Sequence, residues 1–219
     1  MIHLLFSTCK LSSRKTVFVF GLVASLFLIS GCDSGGGGGG GDDSPRTVLV
    51  MGDSISGAYN YEGVPPWPVL LASDQPAWNI VNSAIAGERI QSGASRLPGQ
   101  LSVHSPDQVV LFYGSNNAVR GNIDSFEPSL RGAIRAAFAF GVDRVVVATI
   151  PPFYGQRVVF NGRVTVVNNI IRTVASEEGA VLADVNREFG EGDRDLFPDG
   201  IHPNLDGQRI IKVAIRERL

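Results

Sequence analysis

Ser54 closes the run TVLVMGDS at residues 47–54, where an apolar stretch ends in Gly52-Asp53-Ser54. A serine hydroxyl is a weak nucleophile until a base takes its proton. Only His3, His104 and His202 could supply an imidazole for that task. His202 follows Asp199 by three residues in DGIHPN, residues 199–204. In a tight turn that spacing lets the carboxylate reach the imidazole Nδ1–H. The tautomer is then fixed, and Nε2 is left to accept the Ser54 proton. The same residues have plainer uses. Asp53 or Ser54 could cap a following helix, and Asp199-Gly200 could be a turn before a helix start at His202-Pro203. GDS alone does not decide between these, and Ser56 stands where a G-x-S-x-G elbow would need glycine.

A nucleophile and a base 148 positions apart must be brought together by the fold. Five apolar, β-branched runs are candidates for strands: 47–51, 78–82, 108–113, 144–150 and 180–185. They are short, nearly continuous and bounded by turn residues, as in strands buried on both faces. Helical spacing appears between them, at 66–73, 88–101, 126–140, 162–178 and in the closing segment with Ile210, Ile211, Ala214 and Ile215. Pro203 is expected near the start of that last helix, where its missing N–H costs nothing. The alternation predicts an α/β fold, a three-layer α/β/α sandwich around a five-stranded parallel sheet in the flavodoxin-like order 2-1-3-4-5. Such sheets bind ligands at the carboxyl ends of their strands. Ser54 would lie at that edge, as would His202 in a long irregular stretch over 186–202. His104 precedes the third strand, at the opposite edge, and reads as a solvated loop residue.

Four segments would converge there: Gly52-Asp53-Ser54, the loop Ser83–Arg89 with Gly87, Gly114-Ser115-Asn116-Asn117, and Asp199-Gly200-Ile201-His202. Ser, Gly, Asn and His in that order resemble the SGNH (GDSL) hydrolase family over essentially the whole of residues 47–219. GDSISGAY, SRLP at 95–98 and DGIHPN look similar to its bacterial thioesterase I, lysophospholipase L1 and arylesterase branch. The resemblance implies an SGNH hydrolase fold with Ser54, Asp199 and His202 as catalytic residues. It implies an oxyanion hole built from the backbone N–H of Ser54, the backbone N–H of Gly87 and the side-chain amide of Asn116. Loop glycine and turn former are the alternative uses of Gly87 and Asn116. The family's third motif usually reads Gly-x-Asn-Asp, and Asn117 departs from it by removing a negative charge.

The N-terminus reads as a leader. Lys10, Arg14 and Lys15 precede the apolar core 17–30, which is short for a bilayer span. The ending LISGC resembles a bacterial lipobox. This implies a lipoprotein signal peptide over 1–31, lipidation of Cys32 and a lipid-anchored place in the bacterial cell envelope, with the domain periplasmic or extracellular. Cys9 is the only other cysteine, so a disulfide framework is excluded from the mature chain. Residues 35–41 are seven glycines, and 32–44 read as a flexible tether to a domain over 45–219.

Net charge is −2 with no basic run, which argues against nucleic acid as a partner. No phosphate loop, dinucleotide fingerprint or metal-ligand cluster appears, so neither cofactor nor metal is expected. Trp67 and Trp78 read as packing residues, with Trp67 also placed to line a pocket. Pro151–Gly155 is either an acyl-chain wall or a rigid loop holding buried aromatics, and Arg157 and Arg163 read as solvated. The sequence therefore points to a serine hydrolase cleaving carboxylic esters or thioesters, of esterase, lysophospholipase or thioesterase type, on a small-molecule or lipid substrate. An O-deacetylase or acyltransferase working on cell-envelope polysaccharide is the alternative. A tethered binding protein without turnover is a third reading, and it has no use for both a nucleophile and its base.

Overall fold

The computed structural model describes residues 44–57, 63–121, 123–190 and 194–219. The leader, Cys32 and the glycine tract lie outside them. Five strands, β1 (Arg46–Gly52), β2 (Trp78–Asn82), β3 (Gln108–Phe112), β4 (Arg144–Ala148) and β5 (Val181–Ala183), form one parallel sheet. Their order is β2-β1-β3-β4-β5, as the alternation of elements predicts.

The central strands explain the apolar runs. Val48 to Met51 on β1 and Val109 to Phe112 on β3 are buried on both faces. Each such side chain contributes about 1.5–3 kcal/mol by leaving water. Helices α2 (Ile90–His104), α4 (Phe126–Phe140) and α5 (Asn161–Glu178) pack as one group. Helices α1 (Trp67–Asp74), α6 (Val185–Phe189) and α7 (Leu205–Arg216) pack as another, and the short α3 (Ser115–Arg120) leans on α5. In α4 the stripe Leu130, Ile134 and Ala137 is buried, as the helical spacing requires.

The departures have local causes. β4 ends at Ala148 because the Asn168 amide takes over the ladder, accepting from Ile150 N at 2.8 Å and donating to Ile150 O at 2.9 Å. β5 stops at Ala183 because the Asp184 side chain turns to Arg172 and the Thr149 hydroxyl. The stretch after it is not wholly irregular. Val185 and Phe189, four apart, bury one face of α6, and a 3-10 turn spans Arg194–Leu196. Pro203 lies near the start of α7, one residue before its cap. The cap is Asn204, whose side chain accepts from Gly207 N at 3.0 Å. His104 is the last residue of α2 and is half-buried, not a loop residue.

Register places the ends of β1 and β3 level, with Gly52 beside Phe112. The segments after β1, β2 and β3 therefore leave the sheet side by side. α7 packs against α1 on one flank, which sets the preceding turn near the end of β1.

Candidate active site

Ser54 follows β1 in a tight turn, not at a helix start. Asp53 O accepts from Ser56 N at 3.1 Å and Gly57 N at 2.9 Å, and Asp53 Oδ1 accepts from Ile55 N at 3.0 Å. The carboxylate thus caps a turn, because the chain bends away before a helix can propagate. Three distant side chains hold this turn. Asn82 Nδ2 donates to Ser56 O at 2.7 Å, Trp67 Nε1 to Ser56 Oγ at 3.0 Å, and Gln208 Nε2 to Ile55 O at 3.3 Å. Trp67 is fully buried, so it supports the turn and does not line a pocket.

His202 arrives from the far end of the domain. Ser54 Oγ lies 2.8 Å from His202 Nε2, and His202 Nδ1 lies 2.6 Å from Asp199 Oδ2. The other carboxylate oxygen, Oδ1, accepts from Ile201 N at 2.9 Å and His202 N at 2.7 Å. One carboxylate therefore both shapes the turn and orients the ring. Burial pushes the Asp199 carboxyl up, but the His202 ring and the two backbone N–H groups outweigh burial and hold it below its ordinary value. Gly200 is required in this turn. Its φ is +85°, and a Cβ there would run into the Tyr154 carbonyl. Tyr154 N donates to Gly200 O at 2.9 Å, and the Tyr154 ring stacks on Phe197 at 4.9 Å.

Asn116 stands in the first turn of α3. Its Nδ2 donates to Glu88 O at 3.1 Å and, more weakly, to Asp53 Oδ2 at 3.4 Å. Gly87 occupies a left-handed turn at φ +77° after β2, beside the Arg120 guanidinium. Among the described residues, no hydrogen bond occupies the backbone N–H of Ser54 or Gly87. A cleft of about 200 Å³ is lined by Ser54, Asn116 and His202, with Ser115, Val119 and Ile201 and the arginines 120 and 157. Gly87 is not part of its lining. Pro151–Gly155 does not line it either. Pro151 and Phe153 are buried, as in a rigid loop, while Gly155 lines a neighbouring hollow. Arg157 is exposed, yet it faces the cleft, and Arg163 donates to the carbonyls of Ala118 and Val119. Neither is simply solvated.

Several positioning residues escape sequence reading. Arg96 pairs with Glu88 at 2.7 Å and donates to Ser83 O, and Tyr113 donates to Glu88 Oε2 at 2.7 Å. This buried group clamps the Gly87 loop to α2. SRLP at 95–98 held the only signal for it. Asn117 is fully buried, accepting from Ile90 N at 3.4 Å and donating to Gln91 Oε1 at 3.0 Å. Its carboxamide is thus spent inside the protein, and the loss of charge there does not face the cleft. No group of three or more metal-ligating side chains occurs among the described residues.

With this geometry in place, likeness to known proteins decides the family. The sequence profile of the GDSL-like lipase/acylhydrolase family matches residues 50–210. The chain belongs to that family. As a GDSL-like acylhydrolase it is a carboxylic ester hydrolase. It is 31% identical to thioesterase 1/protease 1/lysophospholipase L1 of Escherichia coli K12 over 75% of this chain and 79% of that protein. Esterase TesA of Pseudomonas aeruginosa is 30% identical over 83% and 90%. The crystal structure of TesA superimposes with a TM-score of 0.66 at 28% identity, covering 80% of this chain and 98% of that one.

In this acylhydrolase Asp53 carries a cost that pH reveals. It is wholly buried, and burial, opposed in part by the Ile55 N–H, raises its carboxyl from 3.8 to about 6. Below about pH 4 folded and unfolded chains both hold the proton. Between there and about pH 6 only the folded chain does, so stability is lost as pH rises, up to about 3 kcal/mol from this group. Asp53→Asn keeps an acceptor for Ile55 N and removes the titration. Between about pH 4 and pH 7 the unfolding free energy from urea titrations is expected to move in the variant's favour by up to that amount relative to wild type. Equal shifts in both proteins would show that Asp53 titrates normally.

Proposed function

We propose that the protein hydrolyses carboxylic esters and thioesters through an acyl-enzyme on Ser54. The contact of Ser54 Oγ with His202 Nε2 at 2.8 Å, with Asp199 behind the ring, carries this reading. His202 takes the hydroxyl proton at Nε2 as Oγ attacks the carbonyl carbon, and Asp199 stabilises the imidazolium. The imidazolium then protonates the leaving oxygen or sulfur. A water attacks the acyl-enzyme with His202 again as base, and Ser54 is regenerated. In this scheme the oxyanion is received by the N–H of Ser54 and Asn116 Nδ2, which line the cleft, and by the N–H of Gly87, which lies behind Arg120 at its edge. Asn116 has its 3.4 Å contact with Asp53 to give up, while the 3.1 Å bond to Glu88 keeps it in place.

The cleft of about 200 Å³ shares Arg157 with a neighbouring hollow of about 320 Å³, so its own volume does not set the acyl length. A deacetylase or acyltransferase on envelope polysaccharide is the alternative to a lipid or thioester substrate. The leader, the small residues before Cys32 and the glycine tract support a lipid-anchored enzyme working outside the cytoplasm. Among the described residues no helix is long and apolar enough to cross a membrane.

The test is hydrolysis of p-nitrophenyl esters from two to sixteen carbons, with acetylated sugars in parallel, by wild type and Asn116→Ala. The variant is expected to lose about 10²- to 10³-fold in kcat, the usual cost of one oxyanion donor. A maximum at two carbons with faster sugar acetate cleavage supports deacetylation, and a maximum at longer chains supports a lipid or thioester substrate. An Asn116→Ala enzyme as fast as wild type would remove Asn116 from the mechanism.

A further inference from the structure

Two cations in the cleft and one buried hydroxyl in its wall are left over by this mechanism. Arg120 and Arg157 both line it, and neither makes an ion pair or a side-chain hydrogen bond among the described residues. Most other arginines of the domain are engaged. Arg96, Arg131, Arg135, Arg172 and Arg209 all hold carboxylates. Ser115 is only 4% exposed, lines the same cleft, and its hydroxyl has no partner. A buried hydroxyl without a partner is unfavourable, so an acceptor seated against this wall of the cleft would relieve it. Among the described residues, no aspartate or glutamate lines this cleft. An adjoining hollow of about 320 Å³ shares Arg157 and adds Arg194. Its one carboxylate among the described residues, Asp199, is committed to His202 and two backbone N–H groups. A local positive field thus stands on a chain whose net charge is −2.

We propose that Arg120, Arg157 and the Ser115 hydroxyl form a subsite for an anionic substituent of the ester, a phosphate or carboxylate within a few bonds of the scissile carbonyl. The enzyme thereby selects charged over neutral esters. Guanidinium groups suit this because their planar N–H forks match both oxyanions. The inference rests on Ser54 being the nucleophile of this cleft.

The test compares matched substrates: the butanoate ester of 4-hydroxybenzoate against that of 4-hydroxybenzamide, and 1-butanoylglycerol 3-phosphate against 1-butanoylglycerol. Wild type is expected to favour the charged member of each pair in kcat/KM, and the preference shrinks as salt is added. Arg120→Gln with Arg157→Gln is expected to lower the charged-to-neutral ratio about tenfold, and each single change about threefold. Lysine at both positions restores part of the ratio, and Arg209→Gln, on α7, leaves it unmoved. A preference confined to the phosphate or the carboxylate pair would assign the subsite to that anion.

An unchanged ratio in the double glutamine variant overturns the proposal. A second readout needs no turnover: binding of 4-butoxybenzoate and 4-butoxybenzamide to Ser54→Ala protein by calorimetry. Tighter binding of the acid, lost with both arginines, supports the subsite, and equal binding refutes it. Undiminished turnover by Ser54→Ala would instead refute the nucleophile, while the binding ratio still judges the subsite.

Discussion

Replacing Ser54 by alanine is expected to lower kcat for any cleaved ester by roughly 10⁴- to 10⁶-fold, and His202→Ala by a similar factor. The two side chains act as one unit across the 2.8 Å contact, so neither retains its use without the other. The Ser54→Ala/His202→Ala double variant is therefore expected to be no slower than either single one. Binding of substrate should survive, since the cleft keeps Val119, Ile201 and both arginines. Labelling by a fluorophosphonate should vanish with Ser54→Ala. Losses that multiply in the double variant would mean that serine and histidine act in separate steps, and the acyl-enzyme scheme would fail.

Asp199→Asn should be the next most damaging change, at about 10⁴-fold in kcat. Asp199 Oδ1 faces two N–H donors, and Oδ2 faces the Nδ1–H of His202. An asparagine has one oxygen for these two places. If the oxygen keeps the turn, its NH₂ group faces Nδ1. The imidazole must then carry its proton on Nε2, the nitrogen that should receive the serine proton. The loss is expected in kcat with KM nearly unchanged, and with thermal unfolding close to wild type. A variant that unfolds early would show that the turn, rather than the tautomer, failed. A fully active one would remove Asp199 from catalysis.

How much of this was legible in the sequence depends on what each residue touches. β1 and β3 were legible because strands buried on both faces need apolar residues throughout, and Val48–Met51 and Val109–Phe112 supply them. The Asp199–His202 pairing was legible because it is local, spanning three residues. The supports of the nucleophile turn were not. Asn82, Trp67 and Gln208 lie 26, 11 and 153 positions from the residues they hold. A lone glutamine on a helix has no pattern that announces such a bond. Arg157 was misread for a similar reason, since an exposed arginine in a polar stretch looks the same whether it faces bulk water or a cleft. The ends of β4 and β5 were overrun because Asn168 and Asp184 intervene through side chains, which hydropathy does not register.

Gln208 gives the last helix a part beyond closing the core. Its Oε1 accepts from Trp67 N at 2.8 Å and its Nε2 holds the turn that carries Ser54, while the preceding segment brings His202. All five strands lie within residues 46–183, so the sheet is complete without either of these later groups. The Ser54 hydroxyl meets the imidazole only once residues 199–208 have docked against the sheet. Ester turnover therefore reports on that docking more strictly than any spectroscopic measure of sheet content.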